Sequence, residues 1–498
     1  MALPKAIRAV FSFPVMLASI IVFWVFIGAG YAVWDADIWW HLRNAEYLFT
    51  HLKTPSVDLY SYTTNAHPWM NHEWLAEIPY LVAWRAGGLM GIYAVSLSLL
   101  LVILLGIFYW AYKQSGNLKG AFVVSCFSVF LAVVSFGPRT ILFGYIYLLI
   151  LLLLLARYRS TGQSPLWVIP PLFCLWINTH GSWLLGLIMF GIYVVSGLVE
   201  GSWGRVEAVR WTPQQSKRLL LTAGASVAAL FVNPFTYRLV FYPFDLAFRQ
   251  KLNIGNVEEW ASVDFNDARG KVVMILLAVV FLGALFSRHT WRLEELLMAG
   301  FGLYTGLMHI RFLFLAAILL APLLAKMLDF VPPYQPEIDK PPLNALVIGV
   351  VLLIAIYRVP SRADLEKDVA VQFPANALSY IKANALQNRV FNDYGWGGYL
   401  IFFSRDVKTF VDGRTDIFEY TGVLKDYLDA TQIRSPLEVL DKYEIHSVLL
   451  SPDAPLTYLL ENQRGWKKVF SDRVAVIFVR APGAQAISAA EPSARGSR

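Results

Sequence analysis

Charge is scarce in this chain. Only 15% of its 498 residues are Asp, Glu, Lys or Arg, against about a quarter in a soluble protein. The deficit excludes an ordinary soluble domain and a soluble enzyme on one anchor, because 57% of the residues are apolar and runs long enough to cross a bilayer recur along most of the length. Cysteine is nearly absent. Cys126 and Cys174 both fall within apolar runs, which supports neither a disulfide framework nor a cysteine metal site. The apolar runs hold almost no ionisable residues near their middles, and this argues against proton-coupled transport. The formal charge of +7 does not indicate nucleic acid, since the basic residues lie mainly in short connections between apolar runs.

What is present is a series of candidate spans: roughly 7–33, 88–112, 119–138, 139–157, 165–180, 181–200, 218–233, 271–287, 292–309, 310–330 and 342–358. The reading is a mainly α, polytopic transmembrane helical bundle of about eleven spans. Lys5, Arg8, Lys113, Lys119, Arg157, Arg159, Arg205, Arg210, Lys217, Arg218, Arg288, Arg292, Lys326 and Lys340 fall in alternate connections. The positive-inside rule makes that set cytoplasmic, with the N-terminus inside and the C-terminal domain outside. The expected division is a multi-span domain over 1–361 with outer loops 34–77 and 233–270, a small α/β soluble domain over 362–482, and a disordered tail over 483–498. Within the soluble part, Val407–Val411, Ser447–Leu450 and Val474–Val479 read as strands, and Ala375–Leu386 and Pro436–Tyr443 as helices.

The first outer loop opens WDADIWWHL, with Asp35 and Asp37 at the expected membrane surface. In an extended segment the two carboxylates point to one side; in a helix Asp37 instead shares a face with His41. Either geometry suits a hard divalent cation or a general base beside a charged neighbour. Trp34, Trp39 and Trp40 suit an interfacial aromatic belt. Further candidates follow in the same loop: Asp58, His67, then His72, Glu73 and Trp74, with Glu77 one turn on. This spacing lacks the second His of a zinc-protease signature. Other outer turns add His180, Glu259 beside Trp260, Asp264, Arg139, and the pair His309 and Arg311. Arginine at such a depth snorkels to water or grips a lipid-borne phosphate, for which its planar fork is matched. In the C-terminal domain FNDYGWGGYL presents Asp393, Tyr394 and Trp396 among tight glycine turns, and FVDGRTD leaves Asp412 and Arg414 to pair with each other or to hold a ligand.

These motifs resemble the GT-C superfamily of membrane glycosyltransferases, whose members share many spans, a long first outer loop with an acidic pair after the first span, and often an outer C-terminal domain. The chain also resembles a bacterial multi-pass membrane family carrying WWHL, HEW, WGGYL and DGR motifs. More remotely it is similar to the catalytic subunit of oligosaccharyltransferase, whose Trp-Trp-Asp-Tyr-Gly motif is kept here as Asp393-Tyr394-Gly395, with Phe391 and Asn392 where the two tryptophans would stand. The resemblance implies a polyprenyl-phosphate-linked sugar donor, a glycan, lipid or protein acceptor, and transfer at the outer face of a bacterial inner membrane. It implies Asp35 or Asp37 as base or as ligand to a divalent metal such as Mg or Mn. His41, His72, Glu73, Trp74, His180, Glu259, Arg311, Asp393, Tyr394, Trp396, Asp412 and Arg414 are the candidate substrate-binding residues. Two other readings of a multi-span chain with outer acids are a flippase or transporter of lipid-linked saccharides, and a non-catalytic envelope scaffold.

Overall fold

The computed structural model describes residues 4–29, 35–286 and 289–481. Trp34, Arg288 and the tail expected to be disordered lie outside the described residues. The chain forms two compact units, Met1–Asp35 with Met70–Asp368, and Ala36–Trp69 with Val369–Arg498.

In the first unit every apolar run is helical. Among the described residues six helices are long and apolar enough to cross a membrane: Ala6–Gly28, Leu89–Ser115, Ile141–Thr161, Ala268–Phe286, Ile310–Met327 and Pro341–Arg358. Leu118–Ala132, Leu166–Thr179 and Trp183–Ser196 are apolar but shorter, and Pro213–Ala229 and Leu293–Met308 complete the series. Helices thus stand where the spans were expected, six of them with the dimensions of a crossing helix, and the expected count of about eleven spans is not confirmed. Their ends follow from local chemistry. Asn117 caps Leu118–Ala132 by accepting from the Gly120 amide at 2.9 Å, and Thr212 with Gln215 forms a capping box ahead of Pro213. Gly116 and Gly162 close the helices before them in the left-handed region, where glycine carries no Cβ penalty. Ile310–Met327 is the innermost, with 83% of its apolar window buried. A small sheet joins β1 (Gly201–Trp203) and β2 (Val206–Ala208) as a hairpin, with β3 (Trp291–Arg292) parallel to β2. The segment 233–270 carries the helices Tyr237–Arg249 and Lys251–Asn256 and a single turn, Glu258–Trp260.

The second unit is α/β. Its sheet has the order β4 (Val390–Asn392), β5 (Ser447–Leu450), β7 (Val476–Arg480), β6 (Trp466–Ser471), with β4 parallel to β5 and the other pairs antiparallel. β4 and β5 are buried at every residue, as their continuous apolar runs require. The first outer loop was expected to stay with the spans, but its segment from Ala36 to Trp69 belongs here. The reason is its core: Trp39 is fully buried, with ring centroids 5.7 Å from Phe373, 5.6 Å from Tyr399 and 5.0 Å from Phe403. Trp39 and Trp40 are therefore core residues and not an interfacial belt. A second correction concerns Val407–Val411, which is buried but not a strand. Its backbone is satisfied by a side chain: Asn392 accepts from the Phe410 amide and donates to the Val411 carbonyl, each at 2.8 Å. Thr409 exchanges hydrogen bonds with Tyr60 and Tyr62 of the first loop at 3.1 and 3.2 Å.

Candidate functional site

In the first unit four charged residues from four distant positions converge. Asp35 follows the first span. Arg139 sits in the tight turn Gly137-Pro138-Arg139, where Gly137 adopts φ +127, and its carbonyl accepts from the Tyr80 hydroxyl at 3.2 Å. The guanidinium bridges two acids: Nε lies 3.0 Å from Asp35 Oδ2, and Nη1 is hydrogen-bonded to Glu259. Glu259 is delivered by the turn Glu258–Trp260, which is pinned to the break between the helices Leu293–Met308 and Leu313–Met327. Val263 N donates to Leu307 O at 3.1 Å, Ile310 N to Ala261 O at 3.0 Å, and His309 Nδ1 to Trp260 O at 2.6 Å. That break presents Arg311, whose guanidinium carbon lies 4.3 Å from the Trp260 ring centroid. Arg311 Nε is buried without a hydrogen-bond partner. All three of Asp35, Arg139 and Glu259 are partly buried, so their attractions are less screened than at an open surface. Burial raises the Glu259 carboxyl, but the charges of Arg139 and Arg311 and the Arg139 hydrogen bond outweigh it and hold the group below its ordinary range. Glu259 is an anion here.

A second polar group lies in the same unit. Glu73 Oε1 is 3.2 Å from His180 Nε2 and 3.7 Å from His72 Nε2. His180 Nδ1 accepts from the Ser182 amide at 2.9 Å, which assigns the ring proton to Nε2, facing Glu73. The Trp74 indole donates to Asn178 Oδ1 at 3.0 Å, and Asn178 in turn donates to Cys174 O and Val232 O at 2.8 and 2.9 Å. Four expected residues, His72, Glu73, Trp74 and His180, are thus brought together, and they lock the end of the first loop to the turn after residue 178.

In the second unit the helix Asp37–His51 begins at Asp37, so of the two geometries read from WDADIWWHL the helical one obtains, with Asp37 and His41 on one face. Asp37 Oδ1 accepts from Trp40 Nε1 at 2.9 Å, and His41 is buried with its ring on Trp40. A Cβ on Gly413 would overlap the Asp37 carboxylate, which is why the DGR turn needs glycine. Burial, then the Asp37 charge, push the Tyr394 hydroxyl far above its ordinary value. Asp37 is tied into packing, and Asp35 belongs to the other compact unit.

Asp412 and Arg414 pair internally. Arg414 Nη1 lies 2.7 Å from Asp58 Oδ1, Nη2 lies 2.6 Å from Asp412 Oδ2, and Nε donates to Asp412 Oδ1 at 2.7 Å. The guanidinium is 1% exposed and sits 5.0 and 5.1 Å from the Tyr60 and Trp69 ring centroids. Burial raises the Asp58 carboxyl, yet Arg414 with Ser61, Thr64 and the Tyr60 amide brings it down to about 2. The DYGW segment serves turns: Asp393 accepts from the Gly395 amide at 2.8 Å, Tyr394 N donates to the Tyr427 hydroxyl at 3.0 Å, and Trp396 Nε1 donates to Gln372 O at 3.0 Å. Burial raises the Asp393 carboxyl against that single amide bond. Sequence reading named Arg139 only among the polar groups of the outer turns and Asp58 only among the further candidates of the first loop. The available signals were an arginine in a turn with almost no loop, and an Asp three residues ahead of Ser61-Tyr62-Thr63-Thr64.

No family model and no curated protein matches the chain by sequence. In fold it is similar to the archaeal oligosaccharyltransferase AglB from Archaeoglobus fulgidus in complex with an inhibitory peptide and a dolichol-phosphate, with a TM-score of 0.52 at 11% identity over 97% of this chain and 75% of that one. The apo form of the A. fulgidus oligosaccharyltransferase matches with a TM-score of 0.52 over 95% of this chain. ArnT from Cupriavidus metallidurans bound to undecaprenyl phosphate gives a TM-score of 0.49 at 14% identity, over 93% of this chain and 97% of that one. At such identities the likeness is one of fold.

Proposed function

We propose that this chain is a membrane glycosyltransferase that moves a sugar from a polyprenyl-phosphate-linked donor to an envelope acceptor, at the outer face of a bacterial inner membrane, with the Ala36–Trp69 and Val369–Arg498 unit extracytoplasmic. The observation that carries the reading is Arg311. Its Nε is buried and unpartnered beside an ionised Glu259, at the edge of the innermost apolar helix. A buried donor left without a partner is costly, and a phosphate on a lipid tail supplies what is missing. The acceptor hydroxyl oxygen attacks the anomeric carbon, its proton passes to Asp35, and the bond from that carbon to the phosphate oxygen breaks. Arg311 receives the charge that builds on the departing phosphate, a fixed electrostatic contribution in a partly dry site. Arg139 orients Asp35, and Glu259 holds Arg139. The tail of the donor stays in hydrocarbon while the sugar reaches water, so neither part is transferred against its solvation.

The test is complementation of a strain lacking the gene, with envelope glycans and lipid-linked sugars read by mass spectrometry. Asp35→Asn and Arg311→Ala, at wild-type protein level, are expected to lose the glycan and accumulate the lipid-linked donor. A full glycan product from either variant contradicts the assignment. A normal product with donor redistributed between leaflets replaces it with a flippase.

A further inference from the structure

We infer that Arg139 is the built-in cation of this site, standing between Asp35 and Glu259 where a divalent metal would otherwise be required, and that the site works without one. The inference rests on the reading above. Two carboxylates from chain positions more than two hundred residues apart repel each other unless something positive lies between them. Here that something is covalent: one guanidinium places Nε 3.0 Å from Asp35 Oδ2 in an ion pair and donates Nη1 to Glu259. Its backbone is held from behind by the Tyr80 hydroxyl and the Gly137 turn.

The donor set does not fit a metal. A hard divalent cation takes six or more oxygens, and among the described residues no group of three or more His, Cys, Asp or Glu is placed to hold one. Asp37, expected as an alternative ligand, gives Oδ1 to the Trp40 indole at 2.9 Å. The charges also balance already. Asp35 and Glu259 face Arg139, and Arg311 adds its field at Glu259. A divalent ion would have to expel Arg139 from both carboxylates and then sit beside two guanidinium groups. A guanidinium does not exchange or deprotonate in the working pH range, and its fork fixes the direction of both carboxylates, which an exchangeable ion does only when bound.

The experiment is a titration of the purified full-length protein with Mn2+, read by electron paramagnetic resonance, for wild type, Asp35→Asn and Glu259→Gln. Both substitutions are isosteric, and elution on size exclusion checks that each variant is folded. Either no stoichiometric Mn2+ in wild type, or binding that both substitutions leave unchanged, supports the inference. One Mn2+ per wild-type chain, lost in either variant, overturns it. Turnover in excess EDTA is expected to equal that in Mg2+, and a tenfold loss on chelation, restored by Mg2+, is equally contrary. Absence of transfer by wild type under every condition would remove the functional reading while leaving the Mn2+ count to decide the cation question by itself.

Discussion

Replacing Arg414 by Ala should damage the α/β unit more than any change at its surface. Arg414 is 1% exposed and places its positive charge between two carboxylates that are themselves buried, Asp58 and Asp412. Removing it leaves two like charges facing each other away from water, and breaking a buried pair in this way costs about 3–5 kcal/mol. For a unit of roughly 150 residues each kcal/mol moves the midpoint by about 2–4 °C, so the expected fall is about 6–20 °C. Tryptophan fluorescence during heating of the detergent-solubilised protein reads it, since Trp40 and Trp69 lie in this unit. Arg414→Lys keeps the charge but not the fork and should fall between. The same network sets an acid limb. Asp58 has a folded value of about 2 against an ordinary 3.8. Its contribution, about 2 kcal/mol, is complete above the unfolded value and is lost as pH falls from about 4 toward 2. In Arg414→Ala burial is left to raise Asp58, so acid unfolding should begin at higher pH. A midpoint within 2 °C of wild type, with an unshifted acid limb, would refute the claim that this network holds the first loop to the DGR segment.

Trp39→Ala, which empties the centre of the Phe373, Tyr399 and Phe403 cluster, should destabilise by about 3–5 kcal/mol, and hydrogen exchange of the β5 amides should rise if that cluster supports the unit. Gly413→Ala places a methyl on the Asp37 carboxylate and should cost about 1–3 kcal/mol as overpacking, whereas Gly116→Ala, at a left-handed helix end with open space, should cost only its backbone strain; equal midpoints for Gly413→Ala and wild type would contradict the contact. Glu259 is held ionised by Arg139 and Arg311, so its depressed value keeps it anionic down past its ordinary range. Arg139→Gln should move the acid limb of the activity–pH profile upward, and an unmoved limb would show that Glu259 does not depend on Arg139.

Much of the architecture is legible in the sequence because hydrophobic burial acts over whole segments. The apolar runs became helices, and Ser447–Leu450 became β5 with the expected bounds. What escaped has physical causes. Val407–Val411 has strand composition, yet the Asn392 amide occupies the hydrogen-bonding groups that a neighbouring strand would take. Trp39 and Trp40 look like belt residues because their depth cannot be read without knowing that residues 36–69 fold with a partner more than three hundred positions away. Asp35 and Asp37, close together in the motif, fall in different compact units, and Asp37 opens a helix. Asp412 and Arg414 could be read as a ligand site or as an internal pair, and Asp58 decided it. The grouping of Arg139 with Asp35 and Glu259 is a matter of tertiary distance alone.

The most direct measurement uses the purified protein in lipid nanodiscs, supplied with polyprenyl-phosphate-linked sugars extracted from cells lacking the gene, and counts free polyprenyl phosphate released per chain. Wild type should release it only when acceptor material is present, and Asp35→Asn should release none. Release that is equal in wild type and Asp35→Asn would contradict the account.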